Sequence, residues 1–263
     1  MVYSFVHTLK IEMRQLVLLF ILVPIFLKGQ VVLTGADGAV LATSDGKILT
    51  ADCGSFVVND VDGHTYNTVR IGTQCWLGKN LATAKYNDGT PIPNVSDNTA
   101  WGALATGAYC DYDNTPANSI TYGKLYNWYA VDNNASTKFA SNGGKNICPT
   151  GWHVPSSAEV TILMDFLGGQ GAAGGKMKET GTAHWHEPNT GATNLSGFTA
   201  LPGGSRVTWG GGSTPSFEEL FYAASFWTTQ NEWEEIDNMS GTLWRSYNFS
   251  QLGWGCSVRC LSD

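Results

Sequence analysis

Hydrophobic positions along this chain fall mostly in short runs broken by glycine, asparagine and Asp-Gly pairs, the pattern of brief strands joined by tight turns. Asp-Gly stands at 37–38, 45–46, 62–63 and 88–89, a dipeptide that supplies the positive φ of two-residue hairpin turns. Gly38–Leu41 and Gly46–Leu49 read as a small repeated hairpin unit. With so few residues to bury, the segment 30–57 is expected to be an extended or hairpin arm rather than a fold of its own. Further strands are expected at Ser225–Thr229, Leu243–Tyr247 and Cys256–Cys260.

Two stretches alone carry helical signals. Ser156 with Glu159 three residues later has capping-box spacing; Val160, Leu163, Met164 and Leu167 then recur on one face, and Gly168-Gly169 stops the run. The second spans Tyr122–Val131, where Leu125, Trp128 and Tyr129 share a face and Asn133-Asn134 end it. Beyond residue 170 the glycine, asparagine and threonine content predicts loops interrupted by strands. The fold class is therefore α+β, with two short helices, small antiparallel sheets and long loops, and long loops in a compact domain usually carry function.

The N-terminus stands apart. Lys10 and Arg14 precede the apolar run Leu16–Leu27, which is too short for the ~20 residues a membrane-spanning helix needs. It matches the apolar region of a secretory signal peptide, with Gly29 at the cut, so residues 1–29 are read as a leader, 30–57 as the arm and 58–263 as the main domain. The protein is expected to be exported, without a transmembrane segment.

Composition narrows the function classes. Of 263 residues only 14% are charged, while glycine (31), tryptophan (10), tyrosine (10) and phenylalanine (11) are abundant, which excludes a disordered chain or a coiled coil. The formal charge is -7; the leader carries three of the 15 basic and one of the 22 acidic residues, so without it the charge is -9. An acidic surface argues against a nucleic-acid partner. Export makes the six cysteines, at 53, 75, 110, 148, 256 and 260, a disulfide framework with fifteen conceivable pairings.

Candidate chemistry is sparse. His184-Trp185-His186-Glu187 is the best catalytic string, but two histidines and a glutamate need a further ligand to hold a metal. No nucleophile elbow or P-loop is present, and no enzyme is expected. Asp111 and Asp113 alternate along one segment, and Glu232 and Asp237 crowd another with Glu234 and Glu235, so these acids are candidates for a structural cation. Trp128, Trp152, Trp227 and Trp244 lie in patterned apolar segments and are expected in the core. Trp101, Trp185, Trp209, Trp233 and Trp254 lie among polar residues, where exposed rings stack on sugars or anchor partners.

Several longer strings carry a resemblance. Ile71–Leu81 (IGTQCWLGKNL), Tyr86–Pro93, Thr121–Val131, Cys148–Pro155 (CPTGWHVP), Gly197–Gly204 and the closing Ser257–Cys260 resemble the Fibrobacter succinogenes major paralogous domain, from about Asp60 to Asp263. That resemblance implies a secreted or surface-attached bacterial module with no established activity. More distantly, Trp152–Glu159 and the last strand are similar to the formylglycine-generating-enzyme-like and C-type-lectin-like fold. This implies a Cys148–Cys260 disulfide, joining a cysteine near the helix to one on the last strand. The other four cysteines are nearly open, with Cys75–Cys256 and Cys53–Cys110 the first guess, and Cys256 and Cys260 on one strand face requiring different partners. Glu187-Pro188-Asn189 is similar to the triplet with which mannose-type C-type lectins hold Ca2+ and sugar, although the Trp-Asn-Asp string that follows there is absent.

The expected function is a secreted or cell-surface adhesion module. It binds a glycan or surface protein through loops 170–255, with Glu187, Asn189, Trp185, Trp209 and Trp233 as ligand residues. The alternative is a structural subunit of a surface assembly, joined through the arm.

Overall fold

The computed structural model describes residues 52–132, 142–208, 214–246 and 252–263, and the backbone of four short strands nearer the N-terminus. Contacts divide the chain into Met1–Ala51 and Asp52–Asp263. In the first unit β1 (Ile25–Leu27) pairs with β2 (Gln30–Val32), and β3 (Leu41–Ala42) with β4 (Ile48–Leu49), both antiparallel. Leu41 faces Leu49 in the second pair; the residues between the two strands, Asp45-Gly46 among them, lie outside the described residues. Residues 1–24, 28 and 29 of the expected leader, and Trp209, lie outside the described residues.

The second unit begins with β5 (Val57–Asn59), β6 (Thr65–Ile71) and β7 (Gln74–Leu77), followed by α1 (Asn98–Gly102), β8 (Tyr109–Cys110), α2 (Pro116–Tyr122), β9 (Leu125–Asn127) and α3 (Trp128–Val131). After β10 (Trp152–His153) come α4 (Ser157–Phe166) and α5 (Gln170–Met177), then β11 (Gly203–Val207), β12 (Ser216–Leu220), β13 (Ala223–Trp227), β14 (Trp233–Asp237), β15 (Trp244–Ser246), β16 (Gly255–Cys256) and β17 (Leu261–Ser262). One antiparallel sheet has the order β10-β17-β7-β6-β5; the other runs β15-β14-β13-β11-β16-β9-β8, with β12 also on β11. The second is antiparallel except where β11 meets β13. Asp62-Gly63 and Asp88-Gly89 do turn, with φ of 88° at Gly63 and 85° at Gly89, but in loops longer than the two residues expected: Asn59 pairs with Thr65, and the Tyr86 amide donates to Thr90 O.

The capping box holds. Ser156 Oγ accepts from the Glu159 amide while the Glu159 carboxylate accepts from the Ser156 amide at 2.7 Å, and Val160, Leu163, Met164 and Leu167 are all buried. The expected helix at 122–131 is instead α2, β9 and α3. Gly123, at φ 77°, ends α2 where a Cβ would stand 2.7 Å from Leu81 O. The next residues are extended because Leu125 and Tyr126 belong to different hydrophobic clusters, on opposite faces of the sheet. The loop expected after 170 begins with α5, whose Gln-Gly-Ala-Ala-Gly-Gly-Lys-Met sequence has little helical signal of its own. Packing of loop backbone against it supplies the rest: a Cβ on Gly174 would lie 2.4 Å from Thr242 O, and one on Gly175 2.4 Å from Gly191 O.

The disulfides are Cys148–Cys260, as the resemblance implied, and Cys53–Cys75; Cys110 and Cys256 are free and buried. The guesses Cys75–Cys256 and Cys53–Cys110 are thereby corrected. Cys110 lies opposite Leu125 and Cys256 opposite Tyr126 on the strand between them, so the two thiols point to opposite faces of one sheet. Nor do Cys256 and Cys260 share a strand: the expected run 256–260 leaves β16 in one sheet before β17 joins the other.

Unfolding the oxidised protein in denaturant should release two titratable thiols, mapping to Cys110 and Cys256; none would mean a third disulfide. The α4 cap gives a second expectation. Burial raises the Glu159 carboxyl, but bonds from the Ser156 amide and hydroxyl and from His153 outweigh it and hold the pKa below the ordinary 4.5. Its stabilisation is therefore full above pH 4.5 and lost as the pH falls through the lowered folded value. Ser156→Ala should cost ~1 kcal/mol, and Glu159→Gln should flatten that acid limb of a stability–pH curve.

Candidate functional site

The outward aromatic face of the second unit is built on a turn between β12 and β13. Glu219 and Phe221 both adopt left-handed backbone, at φ 66° and 72°, conformations that cost a non-glycine residue about 1–3 kcal/mol each and persist only where the surroundings enforce them. Here they turn Phe221 and Tyr222 to solvent, each 45% exposed, just before β13, whose five residues are all buried. The Phe221 amide donates to Pro202 O and the Tyr222 amide to Glu219 O, fixing the turn.

A second loop, 184–190, is laid against it. The His186 amide donates to Phe221 O at 2.8 Å, and the His186 ring stacks on Tyr222 with centroids 4.5 Å apart and 22° between planes. Phe221 and His184 each meet the Tyr122 ring edge-on. Glu187 is exposed beside this stack, and its peptide bond to Pro188 is cis. Asn238 ties the pieces together: its amide donates to Tyr222 O, its Nδ2 to Glu187 O, and its carbonyl accepts from Thr190 N.

Beneath the loops lies Lys178, the residue that caps α5 and is fully buried. Its Nζ donates to Thr190 O at 2.8 Å, Asp237 O at 2.9 Å and Ser240 O at 2.8 Å, with the Trp185 ring 5.4 Å away. Burial pushes its pKa down to about 8, Asp237 partly opposing this, so the ammonium is retained at neutral pH.

Several expected ligand residues turn inward. Trp185 is 1% exposed, with Nε1 on Ala200 O, and Trp233 is 7% exposed, wedged between Trp227 and Trp254; neither ring can stack on a ligand. Trp101 and Trp254 are likewise buried, while Trp244, expected in the core, is half-exposed with Nε1 on Asp237 Oδ2. The polar neighbours of the buried rings mark loops that fold over them, which composition alone does not distinguish from exposure. Asn189 is buried, its Nδ2 held by Glu179 O and Gly181 O.

The expected cation ligands are dispersed, and three of the four are already engaged. Asp111 accepts from Ser119 and pairs with Lys124 at 2.8 Å, while Asp113 is exposed. Glu232 accepts from Ser157, and Asp237 accepts from the Met239 and Ser240 amides at 2.7 Å. Glu234, pushed up to about 7 by burial despite Arg245 at 2.5 Å, points to the other side of β14 from Glu235 and Asp237. Among the described residues no three His, Cys, Asp or Glu side chains form a metal-sized group. His184 and His186 are also committed separately, to Glu179 Oε2 and to Glu187 O. At Glu187 and Asn189 one carboxylate faces solvent, while the other side chain is buried with its Nδ2 on backbone carbonyls and its Oδ1 without a hydrogen-bond partner.

Phe221, Tyr222 and Lys178 carried no signal in the sequence. The family model described as Fibrobacter succinogenes major domain matches residues 69–262. No curated protein and no solved structure matches the chain.

The reversal among the tryptophans is measurable. Trp185→Ala should lower unfolding free energy by ~3–5 kcal/mol in urea titrations, whereas Trp244→Ala should cost about 1 kcal/mol or less. Equal effects would contradict the burial described.

Proposed function

The chain belongs to the Fibrobacter succinogenes major domain family, and from that premise we propose that it is an exported, non-catalytic binding module that takes a neutral glycan on its Phe221–Tyr222–His186 face. The carrying observation is the outward His186–Tyr222 stack on a turn whose strained backbone is held from three sides. Flat aromatic rings meet the apolar faces of pyranose rings, and the adjacent Glu187 carboxylate accepts hydroxyl hydrogen bonds. An acidic chain disfavours polyanionic ligands, which leaves neutral sugars as the better match.

Export is supported by the leader pattern of residues 1–29 and by the two disulfides, which persist in oxidising compartments. The architecture is read as C-type-lectin-like. Cys148–Cys260 supports this, since it joins the segment before α4 to the one before β17. A binding rather than catalytic role is supported by His184 and His186, whose Nδ1 atoms are engaged apart from each other.

A glycan array probed with purified protein tests the reading. Binding to neutral glycans is expected, with Tyr222→Ala losing at least ~10-fold in affinity, the equivalent of ~1.4 kcal/mol for one lost stack. Failure to bind any glycan, or binding that survives both Tyr222→Ala and His186→Ala, would overturn it.

A further inference from the structure

The loops behind the aromatic face have a cation at their centre, and it belongs to the chain. Three backbone carbonyls, from Thr190, Asp237 and Ser240, converge on the single Nζ of Lys178 at 2.8–2.9 Å. Carbonyl dipoles aimed at one point repel one another unless a positive charge sits between them, and the three donors of an ammonium satisfy three such acceptors completely. Calcium is held by the same kind of oxygen, in sets of six to eight. Here the oxygens are taken by a nitrogen that is fully buried and covered by the Trp185 ring.

The helix that delivers this lysine lies directly on both loops. Gly175 N–H donates to Gly241 O at 2.9 Å, Gly175 O accepts from Thr193 N at 2.8 Å, and neither Gly174 nor Gly175 has room for a Cβ. The side chain of Lys178 thus enters between the 187–190 loop and the 237–240 turn, the two segments that Asn238 connects to Glu187 and Tyr222.

We infer that Lys178 is the resident cation of the recognition face, its ammonium fastening the 187–190 loop to the 237–240 turn and making the face independent of calcium. It is a positioning residue: it reaches the ligand face through other groups, among them Thr190 and Asn238, which connect to Tyr222 and Glu187. The inference rests on the glycan-binding reading for its functional meaning, but its test reads loop order and metal response. A protein that binds no glycan therefore loses the first reading and keeps this one.

The first measurement uses the unmodified protein, melted in EDTA and in millimolar calcium chloride. Melting temperatures within about 1 °C are expected, and a calcium-dependent rise of about 5 °C or more would overturn the inference. The second is amide hydrogen exchange in Lys178→Met. Exchange at His186, Thr190 and Asn238 should accelerate at least ~10-fold while the α4 amides stay at wild-type rates, a local opening rather than global destabilisation. Wild-type protection at those three amides would show that the ammonium fastens nothing. Should Lys178→Met fail to fold, the calcium comparison decides alone.

Discussion

Buried cations held on backbone carbonyls are the constraint on which this loop-rich body depends. Lys178, Arg206 and Arg259 are each at most 2% exposed, and none forms an ion pair among the described residues. Arg206 donates to Val95 O, Ser96 O and Asn98 Oδ1; Arg259 donates to Leu77 O, Phe198 O and Asn80 Oδ1. Each also faces aromatic rings: Trp101 and Phe217 for Arg206, Phe198 and Phe226 for Arg259, Trp185 for Lys178. Burying a charge costs several kcal/mol, while hydrogen bonds to charged groups contribute ~1.5–3 kcal/mol each and a desolvated cation–π contact ~2 kcal/mol. A guanidinium or ammonium with three carbonyl or amide oxygens and an aromatic ring therefore reaches balance, and it fixes several loop backbones at once.

This explains how a chain with few helices and short strands keeps its loops in place. Loop carbonyls have no ladder partners, so each needs a donor from elsewhere. Three long cationic side chains supply donors at points where several loops converge, and glycines permit the close approach. Arg259 links the end of β7 to the Phe198 loop one residue before the Cys148–Cys260 bridge, so both non-local closures sit at the same place. The aromatic face inherits this rigidity. Phe221 keeps its left-handed backbone because Pro202, His186 and Asn238 hold both sides of the turn; on the proposed glycan-binding reading, a face ordered beforehand gives up little entropy on contact.

The legible parts were those decided by neighbours in sequence. Ser156 and Glu159 are three residues apart and cap α4 wherever that helix lies; Gly63 and Gly89 turn because positive φ suits glycine. Tyr122–Val131 misled because helical spacing there coincided with residues that alternate between two cores as a strand. For Trp185 and Trp233, polar neighbours in sequence proved to be the outer rim of loops closing over the rings. Trp244 erred in the opposite direction, since an apolar-looking strand at the sheet edge leaves one side to solvent.

By itself the sequence determined the family, the α+β character, the α4 cap, the hairpin turns at 62–63 and 88–89, and, through the resemblance, the Cys148–Cys260 bridge. These rest on local geometry or on strings long enough to be specific. Only the tertiary structure decided that Cys110 and Cys256 stay apart, that α5 is a helix, that Phe221 and Tyr222 face outward, and that Lys178 points into a carbonyl cage. Each depends on which backbone from elsewhere in the chain comes within a few ångströms, and no periodicity or composition encodes that distance.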